Sequence, residues 1–454
     1  MTITRRRFVE HSAFAAAALA AAPQSFARDS KHLPWHNWSG ALTSAPRARV
    51  APASVDELLA WLKSSTGKLR PVGAGHSFSP LVPTDGALLV LDRLSGLQGH
   101  DAATLRATFG AGTRIADIGA PLEEAGQAMQ NIADIDRQTL AGAIATSTHG
   151  TGRDIGSLSS FVTKISLATL SGDLITADAE HYPEVFAAAR TNLGVLGIVI
   201  AIELQNRAPY RLERKTWAAS VEDTLATFDD EAAQHRHFEM FPLVHSDYAV
   251  VMATDETDAP AQPNVADPAD ETAFDGFLRG AAKLPVAARR AAFAVAARAF
   301  GPTEVVDASY RVLANVRNAR FNEMEYSVPR DAGAACLREI LQTIESQSID
   351  IAFPLEYRYV KGDDVWLSMF SGRDSVSISV HNFWDVDYRP YFAVIEPIFW
   401  KYEGRPHWGK VHTLTSARLE RLYPHWRDFL GVRADFDPEQ RLLNDHLRAV
   451  FGFA

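Results

Sequence analysis

One stretch of the chain cannot fill an interior by itself. Thr139-Leu140-Ala141-Gly142-Ala143-Ile144-Ala145-Thr146-Ser147-Thr148-His149-Gly150-Thr151-Gly152 is built almost entirely of small residues. Protein interiors pack as densely as organic crystals, so a segment this bare implies that something other than its own side chains occupies the space against it. A planar cofactor would do. Two more glycine-bearing segments carry the same signature. In Val72-Gly73-Ala74-Gly75-His76-Ser77-Phe78 a strand runs into a turn with two glycines beside a histidine and a hydroxyl. Consecutive amides in such a turn can approach an anion closely and hold a pyrophosphate without any lysine, although a turn of this kind taken alone is more often a structural bend. Asn192-Leu193-Gly194-Val195-Leu196-Gly197-Ile198-Val199 again brings glycine to the start of an apolar strand.

These segments do not make a Rossmann site. In Gly110-Ala111-Gly112-Thr113-Arg114-Ile115 an isoleucine stands where the third glycine of that fingerprint belongs, and no Walker lysine motif occurs. The 45 basic and 55 acidic residues leave a formal charge of −10 with the basic ones scattered, which argues against a partner held through nucleic-acid phosphates. The single cysteine, Cys336, excludes an intrachain disulfide and a cysteine-rich metal cluster. No apolar run approaches the roughly 20 residues that span a bilayer.

Residues 1–27 read as an address. Arg5-Arg6-Arg7-Phe8 precedes a short alanine-rich stretch and then Ser25-Phe26-Ala27, the layout of an export signal cleaved after Ala27. The paired arginines resemble a twin-arginine signal, which implies export of an already folded, cofactor-loaded protein to the periplasm or beyond. The 454 residues suffice for two large domains or three smaller ones. Val55, Leu58, Leu59 and Leu62 predict a helix over 53–63. Strands are expected at 69–75, 88–91, 104–109, 164–170 and 198–204, with helices near 114–126 and 181–190. The class is therefore α+β, with a boundary near 207–212. The Asp-, Ala- and Pro-rich residues 253–273 are expected to form an exposed loop, followed by a helix over 286–300.

Two later strands carry polar strips. In Leu355-Glu356-Tyr357-Arg358-Tyr359-Val360, alternation puts Glu356 and Arg358 on one face and the tyrosines on the other. In Ser375-Val376-Ser377-Ile378-Ser379-Val380-His381, the serines and His381 share a face. Either strip suits a substrate site or a solvent-facing surface.

Taken together, the glycine segments resemble the first domain of FAD-linked oxidases of the vanillyl-alcohol oxidase type. Phe321-Asn322-Glu323-Met324-Glu325-Tyr326, Gly404-Arg405-Pro406-His407-Trp408-Gly409-Lys410-Val411-His412 and Asp437-Pro438-Glu439-Gln440-Arg441-Leu442-Leu443-Asn444 narrow the resemblance to the aldonolactone oxidase and alditol oxidase group. The resemblance implies a PCMH-type FAD-binding domain of two α+β subdomains over 28–210. An α+β substrate or cap domain with an antiparallel sheet would span 211–420, and residues 421–454 would return to the FAD domain. It implies FAD lodged against Val72 to Phe78, Gly142, Thr146, Ser147, His149, Gly150, Gly152, Gly197, Ile198, His407 and His412, covalently joined to His76. It also implies a substrate site of Glu356, Arg358, His381 and Lys410, with no metal. The reaction so implied takes a hydride from a CH–OH group of an aldonolactone, of the D-arabinono-1,4-lactone or L-gulono-1,4-lactone type, to flavin N5. Dioxygen is the expected acceptor. An alditol such as xylitol or sorbitol as substrate and a non-oxygen acceptor remain open alternatives. A non-catalytic flavin-containing binding protein and a metal hydrolase using His407 and His412 are the competing classes.

Overall fold

The computed structural model describes residues 34–262, 268–315 and 319–453, so the export signal expected over 1–27 lies outside the described residues. After a short hairpin of β1 (Trp35–His36) and β2 (Thr43–Ser44), three strands form a parallel sheet. They are β3 (Ala48–Val50), β4 (Leu69–Val72) and β5 (Ala87–Val90), in the order β3-β5-β4. Parallel neighbours need a crossover, and the helix Val55–Ser64 supplies part of it, capped by Ser54 and burying Leu58 and Leu62. The expected spacing of apolar residues is the reason that helix forms where it does.

A second, antiparallel sheet holds β6 (Leu97–Asp101), β7 (Arg106–Gly110), β8 (Val162–Ala168), β9 (Leu174–Asp178) and β10 (Ile198–Gln205), in the order β6-β7-β10-β8-β9. The strand expected from residue 104 begins only at Arg106, because Leu105 takes a left-handed backbone (φ 53°) that ends the preceding turn.

The third sheet has eight strands in the order β14-β11-β13-β12-β16-β17-β15-β18. Its members are β11 (Arg211–Ser220), β12 (His237–Pro242), β13 (Tyr248–Thr257), β14 (Thr303–Ala308), β15 (Phe321–Pro329), β16 (Glu356–Val360), β17 (Ser375–Phe383) and β18 (Arg405–Pro406). Across the middle strands one face is apolar, with Met240, Tyr357, Ile378 and Tyr326 side by side in register, and that part lies under helices. There Phe228, from the helix Val221–Gln234, packs edge-on against Tyr357 at 4.8 Å and against Phe238 at 4.9 Å. The opposite face carries Glu356 and Arg358, as period-two alternation requires. Helices Pro268–Ala282 and Val286–Ala299 cover part of that second face through Leu278, Phe293 and Leu243.

The loop expected over 253–273 is corrected at both ends. β13 continues to Thr257 in register with Arg211, and residues from Pro268 onward are helical. Two of its acidic side chains, Asp255 and Glu256, are paired rather than merely solvated. Asp255 accepts from His235 and from the Arg236 amide, and Glu256 receives the Arg207 guanidinium at 2.5 and 2.8 Å. Composition signalled polarity there, but the partners lay elsewhere in the chain.

The last residues pack beside the first glycine turn. The Leu69 amide donates to the Arg441 carbonyl at 3.0 Å, and Asn444, which caps the final helix Asp445–Phe451, donates to the carbonyls of Pro80 and Pro83. No helix among the described residues is long and apolar enough to cross a membrane.

Candidate active site

Two cavities meet at Lys410 and His407, which line both. The first is walled largely by glycine turns and other small residues. All of residues 72–78 line it, with Gly142, Thr146, Gly194 and Gly197. Gly73 approaches the helix Leu140–Ala145 so closely that a Cβ there would lie 2.0 Å from Thr139 Oγ1. Gly197 takes φ +89°, open to glycine and resisted by other residues. The bare helix turns Ala141, Gly142 and Ala145 to this cavity and sends Leu140 and Ile144 into the core.

The donors present fit an extended dinucleotide. Arg70 lines the cavity, and its guanidinium donates only to carbonyls, those of Leu81, Leu193, Gly194 and Leu442. Burial lowers its pKa to about 9, so it remains a cation at neutral pH beside glycine amides, a setting for pyrophosphate. His76 stacks on Trp38 with centroids 5.2 Å apart. Burial, helped by the charges of Lys410, Arg114 and Arg137, lowers the His76 pKa to about 4, which leaves the ring neutral with a free nitrogen lone pair. The turn is bound to the Lys410 segment: the Phe78 amide donates to the Gly409 carbonyl at 2.6 Å, and Ser79 Oγ donates to the Trp408 carbonyl at 2.5 Å. Trp408 is fully buried, stacked on Tyr423 and donating to Leu367, which fixes the height of Lys410 over the Phe78 ring.

The second, larger cavity has a charged floor. Three neighbouring strands supply it in register: Glu323 lies opposite His381, and Glu356 and Glu325 both lie opposite Ser379. Lys410 bonds to Glu323, whose other oxygen lies 3.5 Å from His381 Nε2. Arg358 pairs with Glu356 at 2.8 Å and reaches Glu325 at 3.5 Å, while His149 Nε2 lies 2.6 Å from Glu325. Burial raises a carboxylic acid's pKa, but at Glu323 the charges of Lys410 and His381 outweigh it and bring the value down to about 2. The same contest, won by His149 and Arg358, holds Glu325 well below its ordinary range. At Glu356 burial wins over Arg358, and its pKa rises to about 8. The partners explain the difference: Glu323 has Lys410 and His381, and Glu325 has His149 and Arg358, whereas Glu356 has Arg358 alone and faces the like charges of Glu239, Asp134 and Glu325.

His381 Nδ1 is 3.0 Å from the Pro354 carbonyl. With Nδ1 donating there, Nε2 is the nitrogen left to accept a proton, and it faces an oxygen of Glu323. His407 takes the Gly409 amide proton at Nδ1 and is kept neutral by burial, with its pKa near 3. The sets His149–Glu325–His407 and Glu323–Glu356–His381 each bring ligand atoms within 4.8 Å of one another, but cations of the chain already compete for every carboxylate in them.

The structure thus brings Glu356, Arg358, His381 and Lys410 together, and gathers residues 72–78, Gly142, Thr146, Gly197 and His407 around the first cavity. His149 lies in the second cavity rather than the first. Ser147, Gly150, Gly152, Ile198 and His412 line neither cavity. Ser147 bonds to Ser368, and a Cβ on Gly150 would meet the Ile132 carbonyl. Gly152 pairs with Tyr359, Ile198 is core at the start of β10, and His412 is packed between Trp408 and His446. In each case the motif continues past the length that touches the cavity. Sequence reasoning passed over Glu323, Glu325, Arg70 and Trp38. The two glutamates alternate with Met324 and Tyr326, the same signal that marked Glu356 and Arg358.

Residues 46–178 match the family described as FAD binding domain, and residues 202–450 the family described as D-arabinono-1,4-lactone oxidase. The chain is 33% identical over 429 residues to L-gulono-1,4-lactone dehydrogenase of Mycobacterium tuberculosis, covering 92% of this chain and 99% of that protein. L-gulonolactone oxidase of Bos taurus is 27% identical, covering 93% and 99%, and alditol oxidase of a Streptomyces species 26%, covering 91% and 97%. The fold is that of cholesterol oxidase from B. sterolicum, with a TM-score of 0.74 at 16% identity over 92% of this chain and 97% of that one. Fold and first cavity define a flavoprotein of the vanillyl-alcohol oxidase type that binds FAD. More narrowly, the chain belongs to the D-arabinono-1,4-lactone oxidase family. It is an oxidoreductase acting on CH–OH donors of sugar-derived substrates.

Proposed function

We propose that the protein oxidises a carbinol of an aldonolactone, of the D-arabinono-1,4-lactone or L-gulono-1,4-lactone type, with its FAD covalently joined to His76 and dioxygen as acceptor. The observation that carries this reading is the convergence of Lys410, Glu323, His381 and the Glu356–Arg358 pair where the two cavities meet. Bound FAD supplies the two-electron hydride acceptor. The chain's own residues handle the rest. His381 takes the hydroxyl proton at Nε2, and Glu323 stabilises the imidazolium formed. Lys410 and Arg358 offset negative charge developing on the substrate oxygen. Glu356, carrying its proton near neutral pH, donates to a substrate hydroxyl and holds Arg358 in place.

A relative named alditol oxidase and one named a dehydrogenase support two variants, an open-chain polyol substrate and an acceptor other than oxygen. Lactones and alditols scored for flavin bleaching without oxygen, then for peroxide with it, separate all of these. Failure of every lactone and alditol to bleach the flavin defeats the reading. Neutral His76, stacked on Trp38 at the cavity wall, supports the covalent link. Acid-precipitated protein should stay yellow, and a colourless pellet excludes the link. Twin-arginine export through residues 1–27 is tested by whether a fusion of that segment to a folded reporter reaches the periplasm, and whether Arg5→Lys with Arg6→Lys abolishes it.

A further inference from the structure

The second cavity changes character across one sheet. On β15, β17 and β16 the face turned to it carries Glu323, Glu325, His381, Glu356 and Arg358. Glu239 lies opposite Arg358, so the same face continues onto β12 as Phe241, onto β13 as Val250 and Met252, and onto β11 as Ala218 and Thr216. Beyond Glu239 the lining thus turns from charged to largely apolar, with Thr216, Asp275, Thr303 and Asn315 among its polar members. Phe321 and Phe353 stand at the transition, each with its ring centroid within 5.3 Å of the His381 ring. Above the apolar half, the helices Pro268–Ala282 and Val286–Ala299 contribute Phe277 and Ala297, and Phe300 follows them. Phe277 and Phe300 are themselves partly exposed, so the apolar wall runs from the charged floor out to the surface.

A fully hydroxylated lactone or polyol has use for the floor and none for this wall. Each hydroxyl pressed against Val250, Met252 or Phe241 would lose water without gaining a partner. We propose that the physiological electron donor is amphiphilic: a hydroxylated lactone or polyol head, oxidised at the floor, carrying an apolar substituent that lies across β12, β13 and β11 beneath the helix pair. This rests on the oxidation proposed above and goes further by naming the substrate class. The span from β12 to β11 is two strand spacings, about 10 Å, which sets the length of tail the wall can cover.

The test uses the holoprotein and L-gulono-1,4-lactone and xylitol, each free and as terminal n-alkyl ethers from methyl to decyl. Anaerobic flavin reduction reports on the donor alone. In whichever series reacts, kcat/KM is expected to rise about two- to fourfold per methylene while the tail is being buried, then to level off. Ala218→Phe, which puts a ring at the far end of the wall, should bring the plateau to a shorter chain. A variant that keeps its flavin spectrum and shows an unmoved plateau counts against the placement. A flat or falling profile with active parent compounds overturns the proposal while leaving the oxidation intact. The same flat profile, joined to reoxidation that quickens with the alkyl length of a quinone, assigns the wall to an acceptor and also overturns it. If neither parents nor ethers bleach the flavin, both readings fall.

Discussion

The two cavities that meet at Lys410 are built by opposite means. The first is made by leaving side chains out: glycine turns and one bare helix face bring backbone to the ligand, and Arg70 is its one buried guanidinium. The second is made by putting side chains in, and its floor works only as a balanced set of charges drawn from three strands and one loop. Steric change should therefore break the first, and removal of a single charge the second.

The largest expected effect is at the shared residue. Lys410→Met removes a cation beside the reacting oxygen and should slow anaerobic flavin reduction by about 10²–10³-fold with the flavin still bound. Retention of the wild-type rate would exclude Lys410 from the site. Next comes the floor alone. Arg358→Met leaves Glu325 and Glu356 buried beside each other and should cost about 3–5 kcal/mol in denaturant unfolding. Adding Glu356→Gln should recover little of that loss near neutral pH, since Glu356 is already neutral there and Glu325 is the carboxylate left unpaired. If the double variant is clearly more stable than the single one, Glu356 is charged in the folded protein and its raised pKa is wrong. For the first cavity, Gly73→Ala forces a methyl to within 2.0 Å of Thr139 Oγ1. A backbone shift of this kind costs about 1–3 kcal/mol, and the measured result should be reduced flavin content in purified protein, with the charged floor unaffected.

The contrast also explains what the sequence disclosed. Glycine turns are local, so residues 72–78 and the 139–146 stretch were legible as a cavity wall once they were read together and with the family resemblance. Where the motif outran its contact, at Ser147, Gly150, Gly152 and Ile198, sequence gave no sign of where the cavity stopped, because that limit is set by Ile132, Ser368 and Tyr359 from elsewhere in the chain. In the second cavity, alternation marked the faces of β16 and β17. Which partner each charge would meet depends on the register of β15 against β17, a long-range pairing that no local pattern encodes. The mislocated loop at 253–273 has the same origin: Arg207 and His235 made its acids part of a sheet.

The smallest effect is also the most selective. The Glu356 pKa, raised by burial to about 8 from an unfolded value of 4.5, means that the folded chain keeps a proton the unfolded chain has lost between those limits. Stability from this group is complete below pH 4.5 and is lost as pH rises toward 8, at no more than about 1.4 kcal/mol per pH unit. Glu323 acts in the other direction and in another window, since its value near 2 makes its contribution disappear only as pH falls below 4.5. The buried neutral histidines His76, His237 and His407, with values of about 4, 3 and 3, add stability that grows as pH rises to 6.5. Between pH 6.5 and 8 Glu356 is therefore the floor group still releasing a proton. Subtracting the unfolding free energy of Glu356→Gln from that of the wild type cancels the histidine contributions, and the difference should fall steadily with pH across that interval. A difference independent of pH there would mean that Glu356 is already ionised and that Arg358 outweighs its burial.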